Sequence, residues 1–64
     1  MPNGEGGILK FSGLIHLHDL DREQWQIETA RCLRLFASQI ESKGLHLPFE
    51  IINVERGTFQ YTER

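Results

Sequence analysis

Small or apolar side chains recur at three- and four-residue intervals through the middle of the chain: Trp25, Thr29, Cys32, Leu33, Phe36, Ala37 and Ile40. At 3.6 residues per turn they share one face of a helix, and Glu28, Arg31, Arg34, Ser38 and Glu41 fall away from it. The pattern predicts a helix bounded by Asp21 and Gly44. Asp21 is a good N-cap acceptor, Gln24 stands where a capping box needs it, and Leu20 and Trp25 hold the two positions of a hydrophobic staple. At the other end Gly44 suits a terminating residue of positive φ, and Lys43 puts positive charge at the negative end of the dipole. Leu45 is then placed to touch Ile40, as in a Schellman ending. Ile27 and Leu35 break the pattern. They flank Arg31 on the far side, two turns apart, and form a possible second stripe.

The pattern changes to alternation on either side of the helix. From Ile8 to His18, Leu9, Phe11, Ile15 and Leu17 share one face, while Lys10, Ser12, His16 and His18 share the other. A hairpin turning at Ser12-Gly13 would mix both faces, so a single strand is preferred, with Gly13 as a bulge or bend. Leu45 to Arg64 reads as a hairpin. With Arg56-Gly57 as a two-residue turn, Val54 faces Phe59 and Ile52 faces Tyr61 on the apolar side, and Asn53 faces Gln60 and Ile51 faces Thr62 on the other. A three-residue turn would slip the register by one and mix the faces. Phe49 and Ile51 remain outside in the preferred register.

These elements give an α+β fold in the order β-α-β-β, a three-stranded mixed sheet with one long helix packed on one face. A right-handed crossover sets the first two strands parallel. The third pairs antiparallel with the second and can lie between the other two.

Composition narrows the picture. With 64 residues there is room for one domain, placed at 8–64. Residues 1–7 hold a proline, three glycines and no large apolar side chain beyond Met1, so they are expected to form a flexible tail. A core this small rarely supplies more than ~3–5 kcal/mol unaided. Cys32 is the only cysteine, so no disulfide supports the core. It falls on the core face and reads as a small packing residue, suited to a reducing compartment. No apolar run approaches membrane-spanning length, and there is no signal-peptide pattern. A soluble, cytoplasmic protein is expected.

Candidate chemistry is sparse. Nine acidic residues outnumber seven basic ones, for a net charge of −2. Arg31, Arg34, Lys10 and Arg56 are too few and too mixed with acids for a nucleic-acid surface. His16 and His18 alternate with Leu17, so a strand would present both imidazoles on one side, a start for a metal site. No second spaced pair completes it, and neither metal nor cofactor is expected. Pro2 would become an N-terminal secondary amine if Met1 were removed, a base when its pKa is lowered. In chain size and in its β-α-β-plus-hairpin order, the chain is similar to the small tautomerases, oligomeric enzymes that use such a proline. The resemblance implies Pro2 as general base, although here Asn3 to Gly7 separate it from the first strand. The favoured reading is a homodimer or higher oligomer that binds another protein through Ile27, Arg31, Arg34, Leu35, Phe49 and Ile51, with no membrane partner.

Overall fold

A computed structural model describes residues 6–64. Strand β1 spans Leu9–Ile15, helix α1 Arg22–Lys43, β2 Phe49–Asn53 and β3 Gly57–Glu63. The order is β-α-β-β, and the helix covers one face of a single three-stranded sheet ordered β1-β3-β2. β3 runs antiparallel to both neighbours. β1 and β2 therefore point the same way, as the crossover argument expects. With β3 between them every hydrogen-bonded pairing is antiparallel, where a mixed sheet was expected.

β1 is one strand, and its pairing with β3 runs without interruption from Leu9↔Glu63 to Ile15↔Gly57. Gly13 is not a bulge. It is a place of close approach: a Cβ there would stand 2.5 Å from Phe59 Cδ1 and 2.7 Å from the Thr58 carbonyl oxygen. The ring of Phe59 lies over the missing side chain. His16 and His18 lie beyond the strand, although the His16 N–H still donates to the Arg56 carbonyl at 2.8 Å.

The hairpin turn consists of Glu55 and Arg56, between Val54 and Gly57, whose N–H and C=O groups bond reciprocally at 2.8 and 3.3 Å. Ile52 pairs with Phe59 and Glu50 with Tyr61. The register is thus displaced by two residues from the expected one. Because side chains alternate with period two, the displacement leaves the faces unchanged. Ile52, Val54, Phe59 and Tyr61 still point at the helix, and Phe49, Ile51, Asn53, Gln60 and Thr62 still point away. Gly57 makes the tight fit possible, because a Cβ would stand 2.9 Å from Cys32 Sγ and 2.9 Å from the Leu14 carbonyl oxygen.

The helix begins one residue after Asp21, which has extended dihedrals but makes no side-chain capping bond; its carbonyl instead accepts from the Gln24 N–H at 2.9 Å. At the other end Gly44 has φ 80° and ψ 178°, a combination open only to glycine, and its N–H donates to the Ile40 carbonyl at 2.7 Å. That single bond differs from the two-bond Schellman ending. Phe36 stacks on Phe59 at 4.6 Å between ring centroids and meets Phe11 edge-on at 5.9 Å. Tyr61 is completely buried, and Cys32 and Phe59 nearly so.

Candidate functional site

The helix sits toward β2. Leu35 and Gln39 border a shallow depression with Asn53 and Val54, and Arg31 pairs with Glu55 of the turn and with Glu28. Glu28 and Arg31, expected to fall away from the sheet, therefore brace the hairpin. Leu33, two residues from Leu35 and so on the opposite flank of the helix, is 46 % exposed. Trp25 is partly exposed with the Arg22 guanidinium 4.6 Å above its ring.

This placement leaves much apolar surface open. Ile8, Phe11 and Leu14 are exposed on the β1 side, Leu33 on the helix, and Leu45 and Leu47 in the α1–β2 connection. Phe49 and Ile51 are each 50 % exposed on the outer sheet face, and Ile27 is 64 % exposed on the back of the helix beside exposed Arg34. The candidate interaction residues thus occupy three places. Ile27 and Arg34 face solvent on the helix, Phe49 and Ile51 lie at the β2 border of the outer face, and Arg31 and Leu35 lie against the hairpin. Between Leu14 and the Phe49–Ile51 pair the outer face is polar. Gln60 donates to Ser12 Oγ at 3.0 Å and Thr58 Oγ1 to Asn53 Oδ1 at 2.8 Å.

Two polar clusters tie loops to the sheet. Arg56 donates to both carboxylate oxygens of Asp19, at 2.8 and 3.1 Å, and to the His16 carbonyl at 3.2 Å. Its Nε stands 3.6 Å from Glu28. The hydrogen bond from Arg56 holds the Asp19 carboxyl below its ordinary range, and Asp19 raises Arg56 in return. The bond to Glu55 likewise raises Arg31. Two of the four cations considered for nucleic acid are therefore already engaged by acids. In the second cluster the buried Tyr61 hydroxyl accepts from the His46 backbone N–H at 2.7 Å and donates to Glu50 Oε1 at 3.2 Å. His46 Nδ1 lies 2.9 Å from the same oxygen. This arrangement anchors the α1–β2 connection and explains why Glu50 can point inward. The alternation of β2 was legible in the sequence, but the pairing of Glu50 with Tyr61 needed the true register.

The rings of exposed His16 and His18 lie 6.1 Å apart. Among the described residues no group of three or more His, Cys, Asp or Glu side chains could hold a metal ion. Pro2 lies outside the described residues. No described helix is long and apolar enough to cross a membrane. No family model matches the chain, and neither curated proteins nor solved structures gave a match.

The open β1 side was not anticipated. Sequence reasoning assigned Phe11 and Leu33 to the core; a usable signal was Gly13, whose missing side chain thins the strand's inner face beside Phe11.

Proposed function

We propose that the chain works by contact rather than by chemistry, as a small module that associates with itself and holds another protein as regulator, inhibitor or assembly factor. The carrying observation is the imbalance between buried and exposed apolar groups. Among the described residues only Cys32, Phe59 and Tyr61 are buried hydrophobics, while eleven large hydrophobic side chains are exposed. Single exposed apolar residues are ordinary, but several on one border of a small sheet mark an interaction surface. Self-association covers part of this surface. Ile27 with Arg34 on the helix, and Phe49 with Ile51 on the outer face, remain for the other protein. The reading places the chain in the cytoplasm, where a single unpaired cysteine such as buried Cys32 is at home.

Light scattering at micromolar concentration tests the self-association. The expected mass is that of two or more chains, with a melting temperature that rises with concentration. A 7.4 kDa species whose melting temperature ignores concentration would overturn it.

A further inference from the structure

The two borders of the sheet are built differently, and the difference identifies one of them as a joint. β2 has five residues, follows Pro48 and turns the carboxylate of Glu50 inward. Short length, proline and an inward charge are the devices that keep an edge strand from recruiting another strand. β1 has seven residues, no proline and no bulge. Its one charged residue is Lys10, on the outer face.

The ladder shows which groups β1 leaves open. The Arg64 N–H donates to the Ile8 carbonyl at 2.9 Å and the His16 N–H to the Arg56 carbonyl, so the even-numbered residues carry the bonds to β3. Antiparallel ladders alternate, and the N–H and C=O groups of Leu9, Phe11, Gly13 and Ile15 therefore point to the free border. Above that border the helix gives little cover. Phe11 is 51 % exposed although one side of its ring meets Phe36 and Tyr61.

Resting on the contact reading above, we propose that the occupant of this border is a second copy of the chain, paired β1 to β1 antiparallel about a two-fold axis through Ser12. The strand is complementary to itself in this register. Leu9 meets Ile15 of the other copy, Phe11 meets Gly13, and all four open residues of each copy find partners, which joins two three-stranded sheets into one of six. Centring the axis on Phe11 or Gly13 leaves an end residue without a partner in the strand. Phe11 of one copy lies opposite Gly13 of the other, where no Cβ keeps it from the ring of Phe59. On the outer face Lys10 meets Leu14, which is 69 % exposed, and its aliphatic stem covers that side chain. No like charges face each other. Pairing covers the open backbone of β1 together with Ile8, Phe11 and Leu14, each more than half exposed. A symmetric pair of this kind is the commonest oligomer.

Ser12 is exposed and on the axis, in a non-hydrogen-bonded pair, where Cα atoms lie about 4.5 Å apart and a disulfide can form. The test compares Ser12→Cys with Ile51→Cys and wild type in a glutathione buffer, read by non-reducing gel and light scattering. The expected result is a linked dimer for Ser12→Cys, formed at least tenfold faster than for Ile51→Cys, with the far-UV spectrum and the mass of the wild-type dimer. A wild-type dimer in which Ile51→Cys links and Ser12→Cys stays free overturns the β1 joint but leaves the contact reading standing. A dimer in which neither links overturns it as well. A monomer in which neither links overturns both the joint and the self-association, leaving the β1 border to a foreign strand.

Discussion

Three residues show how locally the chain is constrained. Gly44 holds a conformation reserved for glycine, so Gly44→Val is expected to cost roughly 1–3 kcal/mol in chemical denaturation. Asp21 makes no capping bond through its side chain, and only its charge at the helix N-terminus is at stake. Asp21→Ala is therefore expected to cost about 0.3–1 kcal/mol, less than a full cap. If the two substitutions prove equally costly, the asymmetry between the helix ends is wrong. Tyr61→Phe removes the hydroxyl that serves both the His46 N–H and Glu50. Leaving the His46 N–H without its partner, while Glu50 keeps its contact with His46 Nδ1, is expected to cost roughly 1–3 kcal/mol. It should also free the α1–β2 connection, seen as faster hydrogen exchange at His46 while the Gly44 amide keeps its protection.

At the scale of elements, the Asp19–Arg56 pair couples the β1–α1 connection to the hairpin turn. Asp19 has a lowered pKa in the folded chain, so the native state binds fewer protons than the unfolded one near that range. The stabilisation is present above the unfolded value and lost as pH falls through the folded value, below about pH 4. Melting temperature measured against pH should therefore drop less steeply there in Asp19→Asn than in wild type, and salt should shrink the difference. Identical slopes would remove Asp19 from the account of acid stability. The elements themselves were legible in the chain. Helix and strands follow from periods of 3.6 and 2, and both ends of the helix from Asp21 and Gly44. The register of the hairpin was not, because shifts by two keep every side chain on its face. What distinguishes them is tertiary: the close fit of Cys32 over Gly57 and the bond from Tyr61 to Glu50. The rotation of the helix toward β2 was likewise hidden. It goes with Arg31 and Glu28 pairing with Glu55 and Arg56 of a turn that is distant in sequence, contacts no local pattern announces.

For the whole molecule, the balance between one helix and three strands decides how much surface is left. A helix centred over the sheet would have hidden Phe11 and Leu33 and left two comparable borders. Seated toward β2, it leaves one border protected and the other bare. One further arrangement has practical weight. The Arg64 N–H bonds to the Ile8 carbonyl, so Arg64 and Ile8 lie side by side, about 5.5 Å between Cα atoms in such a pair. Groups attached at Ile8 and at Arg64 therefore start from the same corner. A donor and an acceptor fluorophore attached there would sit close together in the folded chain and part on unfolding, and residues 8–64 could be spliced into a surface loop of a host protein without prying that loop open.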